Sequence, residues 1–298
     1  IPAVEAWQPH AVLIYGWSFK SHLQALRYFK GKIPVLFRGD STLLDEPEGF
    51  SIKKSARRLF LRWVYRHVDL CLYTGTANKA YYLRHGKKEQ ELRFAPHAVD
   101  NERFATADTE WNAAAKAWRN ELGIDAAEQV FLFAGKMEPK KDPLILLQAF
   151  RELNAPHTRL VFAGNGVLEQ QLKNAAAGDE RIIFLPFQNQ QQMPVLYRLA
   201  DVYVLPSRGP GETWGLAVNE AMACGRTVVV SDKCGCAADL VQEAWGRVFE
   251  ADSVFDLRRQ LAFFVQHAQL LPEMGRQAQM HIQNWSLAAL AAAIEQAV

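Results

Sequence analysis

Along the whole chain, short apolar runs of strand length alternate with stretches whose apolar positions recur every three or four residues. The runs AVLIY (11–15), IPVLF (33–37), DLCLY (69–73) and ELRFA (91–95) predict strands, separated by helices near 20–30, 52–67 and 77–85. A second series follows at QVFLFA (129–134), RLVFA (159–163), RIIFL (181–185), DVYVL (201–205) and TVVVS (227–231), each run leading into an amphipathic stretch. Strand and helix in regular alternation predict parallel sheets covered by crossover helices, an α/β protein. The polar, alanine-rich segment from Ala105 to Ala127 reads as a linker and lead-in helix. It divides an N-terminal domain, 1–104, from a C-terminal domain, 105–284, and leaves 285–298 as a terminal helix, for which a return to the first domain is left open.

Length and composition narrow this picture a little. The 298 residues, 49% hydrophobic, suffice for two domains that each bury a core. A formal charge of +2 provides no global attraction for nucleic acid, so an anionic partner has to be met by local clusters. No apolar run approaches the ~18 residues of a spanning helix, and IPAVEAWQPH lacks the layout of a signal peptide, which points to the cytoplasm. Cys71, Cys224, Cys234 and Cys236 show no paired spacing, so neither a disulfide framework nor a metal site is expected. The chain opens on Ile1 as though inside a helix already under way, and an upstream segment is expected.

In doubly wound domains ligands bind at the carboxyl ends of strands, and three motifs stand there. AGKMEPKKDP follows the run 129–134 and sets Gly135, Lys136 and Lys141 beside the start of a helix; it reads as a phosphate site or as a solvated basic turn. AGNGVLEQQL places Gly164, Asn165 and Gly166 after the run 159–163, with Glu169 where a dinucleotide fingerprint needs another glycine, so a tight turn explains the glycines equally well. In GETWGLAVNEAM, Glu212 precedes a helix that begins near Leu216, and Glu220 lies in its second turn. A fully helical separation of eight positions spans about 12 Å, too far for a glycosidase pair. The two carboxylates suit separate hydroxyl-bearing parts of one long ligand, its anionic middle over the free N–H groups of Gly215 and Leu216.

Taken in order, the glycine and lysines, the G-N-G turn, Pro206-Ser207 and the stretch E-T-W-G-L-A-V-N-E-A-M-A-C-G resemble the donor-binding half of the retaining GT-B glycosyltransferases of glycosyltransferase family 4, also called glycosyl transferases group 1. SDKCGCAADLV fits the same pattern, as do TGTANKAYYLRHG and APHAVDNERF in the first domain. The resemblance implies two Rossmann-like domains facing each other across a cleft, the first of them incomplete here. It implies a nucleotide diphosphate sugar as donor, a carbohydrate or lipid-linked acceptor, and a place in polysaccharide, lipopolysaccharide or glycolipid biosynthesis. Lys136, where the family usually carries arginine, and Lys141 are then expected on the diphosphate, and Glu212 on hydroxyls of the transferred sugar. These three form the expected catalytic set. Glu220 is expected on the ribose, Gly215 and Leu216 on phosphate, and Gly135, Gly164, Asn165, Gly166, Ser207, Thr213 and Trp214 around the donor. No cofactor and no metal is expected.

The chain departs from the family near LFRGDST. The family's histidine should fall in or beside this stretch, where Arg38, Gly39 and Asp40 stand; either Arg38 or Asp40 lines the acceptor side, or the matching residue lies elsewhere. His97 replaces the usual hinge asparagine and reads as a turn residue. Between 52 and 67, Ile52, Ala56, Leu59, Phe60, Trp63 and Val64 form an expected buried stripe beside Lys53, Lys54, Arg57, Arg58, Arg62 and Arg66. Its charged face is either solvated or attracted to anionic lipid head groups or to a phosphate-bearing acceptor. A nucleotide-sugar epimerase on the same plan and a non-catalytic binding protein for a sugar nucleotide or a lipid surface remain as alternatives.

Overall fold

The computed structural model describes residues 1–46, 49, 51–105 and 108–298. It divides into one unit formed by residues 1–97 and 286–298 and another formed by residues 98–285. The division falls at Ala98, before the expected boundary at 105. The reason is packing: Phe104 is 2% exposed in the core of the second unit, where Arg198 donates to its carbonyl at 2.7 Å.

In the first unit, β1 (Val12–Tyr15), β2 (Val35–Arg38), β3 (Leu70–Tyr73) and β4 (Leu92–Phe94) form a parallel sheet in sequence order. The terminal helix Leu287–Glu295 belongs to this unit, and its Ala293 clusters with Leu72 and Ala95. The helix Ile52–Tyr65 packs with a different face from the one its sequence suggests. Leu61, Val64 and Tyr65 are buried, whereas Ile52 and Leu59 are 80% and 68% exposed. The inward row runs through Leu61, Val64 and Val68, which carries the expected stripe partly out to the surface.

The second unit carries β5 (Gln129–Ala134), β6 (Thr158–Ala163), β7 (Ile182–Leu185), β8 (Val202–Leu205), β9 (Thr227–Ser231) and β10 (Gly246–Phe249). Their order is β10-β9-β8-β5-β6-β7, all parallel. β5, β8 and β9 are buried at every position, as expected of strands covered on both faces. The pleat sends Val130, Leu132 and Ala134 into one core and Phe131 and Phe133 into the other. β10 was not expected from the sequence; it is a four-residue edge strand whose Arg247 and Val248 are not buried. The order reverses between β5 and β8, and at such a switch point the loops leaving the two strands diverge and open a crevice at their carboxyl ends. Lys136, Lys141 and Glu212 lie in those loops. Among the described residues no helix is long and apolar enough to cross a membrane.

Candidate active site of the second unit

The loops after β5 and β6 are locked together through their backbones. Met137 N–H donates to Asn165 O at 2.7 Å and Leu168 N–H to Met137 O at 2.9 Å. A β-carbon on Gly164 would lie 2.1 Å from Gly135 O, and one on Gly166 2.3 Å from Met137 O. Glycine is therefore required by close approach of two chain segments. The tight-turn reading and the site reading coincide, because this contact fixes where Gly135 and Lys136 sit.

The loop after β8 delivers Glu212. Glu212 is 7% exposed, and a carboxylate so buried needs partners. Lys141 Nζ forms an ion pair with Glu212 Oε2, and Ser207 Oγ donates to the same oxygen at 2.9 Å. Ser207 is fully buried, so its hydroxyl orients the carboxylate. Trp214 is 3% exposed, and its indole N–H donates to Asn219 Oδ1 at 2.8 Å, which ties the loop to the following helix, Leu216–Ala223. Gly235 was not singled out by the sequence. A β-carbon there would lie 1.8 Å from Thr213 O, and Gly235 N–H donates to Glu212 O at 3.0 Å. The segment after β9 thus clamps the Glu212 loop from behind. Cys234 is packed against the same strand ends, donating through Sγ to Leu205 O at 3.7 Å, and burial pushes its thiol up to about 12.

Glu220 lies one helical turn along. Tyr197 Oη–H donates to Glu220 Oε2 at 2.7 Å. Burial raises the carboxyl above its usual range; hydrogen bonding from Tyr197, the charge of Arg103 and a bond from Gln190 pull it partly back. Tyr197 was missed because a tyrosine in the apolar helix Met193–Leu199 reads as core.

Gly135, Lys136, Gly164, Asn165, Leu216 and Glu220 line one cavity of about 430 Å³, within the range of small-molecule sites. Lys141, Ser207 and Glu212 form a second, mutually bonded group in the loops after β5 and β8. The helix beginning at Leu216 adds its positively polarised start. Together the second unit offers ammonium groups, free backbone N–H groups and two separate carboxylates, a combination able to hold an anion between two hydroxyl-bearing groups.

The acceptor-side candidates of the first unit behave differently from each other. Arg38 is 5% exposed and donates to Ala95 O at 2.7 Å and Pro96 O at 2.9 Å, holding the chain after β4. Asp40 lines a separate cavity of about 290 Å³. The half-buried His97 ring is held below the usual imidazole range by burial and by the charge of Arg38.

Comparison with known proteins gives this arrangement a family. The D-inositol 3-phosphate glycosyltransferase of Segniliparus rotundus is 30% identical over 213 residues, covering 68% of this chain and 45% of the relative. The chain thus spans about half the length of that relative. Among solved structures, Anabaena Alr3699/HepE in complex with UDP and glucose superposes with a TM-score of 0.76 at 20% identity, covering 99% of this chain and 79% of that one. The sucrose-phosphate synthase of Thermosynechococcus elongatus gives a TM-score of 0.78 at 20% identity, covering 99% and 75%. These two likenesses establish the fold, that of the GT-B glycosyltransferases. The family model described as "Glycosyl transferases group 1" matches residues 114–281, more than half of the chain and nearly all of the second unit, and the chain belongs to that family.

Proposed function

We propose that the protein transfers a sugar, with retention, from a nucleotide diphosphate sugar to an acceptor hydroxyl, in polysaccharide, lipopolysaccharide or glycolipid biosynthesis. The observation that carries this reading is the pairing of Lys141 with Glu212 in the loops after β5 and β8, with Lys136 of the same β5 loop lining a cavity together with Glu220. As the bond to the leaving phosphate stretches, negative charge grows on the diphosphate and positive charge on the sugar. Lys136, Lys141 and the first N–H groups of the helix at Leu216 stabilise the former. A diphosphate oxygen that reaches Lys141 Nζ competes with Glu212 for that cation, and the freed carboxylate can accept hydrogen bonds from sugar hydroxyls. Glu220 accepts from the ribose. The ammonium groups supply the positive charge, so no divalent metal is called for. The Anabaena protein was solved with UDP and glucose, which makes UDP-glucose the first donor to try. Family relatives named for a phosphorylated inositol suggest a polyol as acceptor. The test is a donor screen that follows nucleoside diphosphate release with and without added acceptors and reads the product anomer by NMR. Transfer with retained configuration supports the reading. Binding of donor without release, or conversion of donor without acceptor, favours a binding protein or an epimerase.

The proposed setting is the cytoplasm, with peripheral contact to an anionic membrane through residues 52–67. Ile52 and Leu59 face outward on a helix that carries Lys53, Lys54, Arg57, Arg58 and Arg62 and no acidic residue, and each such cation is worth ~1 kcal/mol near an anionic surface. Sedimentation with anionic but not with neutral vesicles tests this.

A further inference from the structure

The loop 186–192, between β7 and the helix Met193–Leu199, lends Phe187, Gln188 and Gln190 to the cavity that Lys136 and Glu220 line. Within the loop, Asn189 Oδ1 accepts from Gln191 N–H at 2.9 Å and Gln192 N–H at 3.1 Å, and Gln188 Nε2 donates to Pro186 O at 2.9 Å. Such local bonds shape a turn but do not fix where it stands. Arg103 reaches the loop from elsewhere in the chain: its Nη2 donates to Gln190 O. The side chain of Gln190 is in turn hydrogen-bonded to Glu220. Arg103 works from a seated element. In the short helix Asn101–Ala105, Asn101 Nδ2 donates to Ile282 O at 2.9 Å, Phe104 is buried, and the half-buried Arg103 carries its guanidinium 5.4 Å from the Phe104 ring.

We infer that Arg103 is a positioning residue for the donor pentose: by pinning the loop that carries Gln190, and through its own charge, it presets Glu220 as an acceptor for ribose hydroxyls, so that the site selects ribonucleoside over 2′-deoxyribonucleoside diphosphates. The inference rests on the reading of Glu220 as the ribose group. Ionised, a carboxylate only accepts, and it accepts from hydroxyls more strongly than a neutral group does; protonated, it turns one oxygen into a donor. Tyr197 Oη–H holds Oε2 of Glu220 at 2.7 Å and Gln190 bonds to the same carboxylate, so its orientation is fixed before a nucleotide arrives. Burial works against the ionised form, and the positive charge of Arg103 works for it. The other groups that face Glu220 keep their protons while a carboxyl titrates: burial pushes the hydroxyls of Tyr197 and Tyr203 well above the usual phenol range and the Cys224 thiol up to about 12. Lys136 adds a second cation to the lining of the same cavity.

The test is titration calorimetry of UDP and 2′-deoxy-UDP into the parent, Arg103→Gln, Arg103→Lys and Glu220→Gln from about pH 4 to 8, a range that brackets a carboxyl raised by burial. In Arg103→Gln, UDP affinity at pH 7 should fall at least about tenfold, and 2′-deoxy-UDP affinity by a smaller factor, so that the preference for the ribonucleotide shrinks. Loss of the cation raises the carboxyl further, so the fall of UDP affinity on acidification should begin at higher pH than in the parent. Arg103→Lys keeps the charge and should return that fall toward its parent position. Glu102→Gln, at an exposed position of the same helix, should stay within about twofold of the parent. If UDP does not bind, or binds Glu220→Gln as it binds the parent, the ribose reading fails and the inference with it. If Glu220→Gln behaves as that reading requires, yet Arg103→Gln weakens both nucleotides equally or leaves the pH dependence in place, the ribose reading stands and the role of Arg103 is overturned.

Discussion

Lys141 Nζ and Ser207 Oγ converge on one oxygen of Glu212, the hydroxyl at 2.9 Å. Lys141 comes from the loop after β5 and Glu212 from the loop after β8, the strands between which the sheet order reverses. A cation and a carboxylate with separate tasks on one ligand are thereby held in register before the ligand arrives.

Lys141→Ala should lower kcat/KM by about 10²–10³-fold, corresponding to ~3–4 kcal/mol of lost charge stabilisation. The measurement is steady-state turnover with the donor that the screen identifies. Lys141→Arg keeps the charge and should recover part of the loss.

The raised pKa of Glu220 gives a pH test with a defined sign. The native state holds this proton more tightly than the unfolded chain. The contribution to stability is therefore fully present below the ordinary carboxylate pKa and is lost as pH rises through the raised value. Glu220→Gln should accordingly raise the thermal midpoint at pH 7 while weakening UDP binding. In the parent protein UDP affinity should fall on acidification through the raised pKa, and the variant should lack that dependence. Thermal unfolding and titration calorimetry across pH 4 to 8, a window chosen to bracket a raised carboxyl, read both effects.

Gly164→Ala should destabilise the second unit by ~3 kcal/mol, since the new methyl group meets Gly135 O with both backbones already committed. Urea denaturation reads the loss. A larger relative effect on UDP affinity than on stability is expected, because the same clash displaces Lys136.

Treatment with EDTA should leave turnover unchanged if Lys136, Lys141 and the helix start carry the charge of the leaving group. Loss of turnover restored by magnesium or manganese would count against that division of labour.

How much of this could be read from residues alone depends on the range of the interaction. QVFLFA and TVVVS coincide with β5 and β9 because a strand buried on both faces is apolar at nearly every position and bounded by turns. β10 escaped notice because GRVF is short, half-polar and at an edge, where one side of the strand needs no apolar cover. In LFLRWVY, 59–65, nearly every position is apolar, so periodicity cannot choose a face, and the sheet beneath selects Leu61 and Val64 over Leu59. Lys136, Lys141 and Glu212 were legible in the sequence because each stands within seven residues of the end of β5 or β8, and Glu220 because it lies one turn into the helix that follows. The partners Tyr197 of Glu220 and Gly235 of the Glu212 loop were not: they are separated from their contacts by 23 and 22 positions along the chain, and only the fold brings them together.

A crystal structure with UDP bound tests the central claim most directly. The diphosphate should lie beside Lys136 and Lys141 over the N–H groups of Gly215 and Leu216, with the ribose hydroxyls at hydrogen-bond distance, roughly 2.6–3.2 Å, from Glu220. UDP seated elsewhere on the chain, or in this cavity with its ribose turned away from Glu220, would contradict the account.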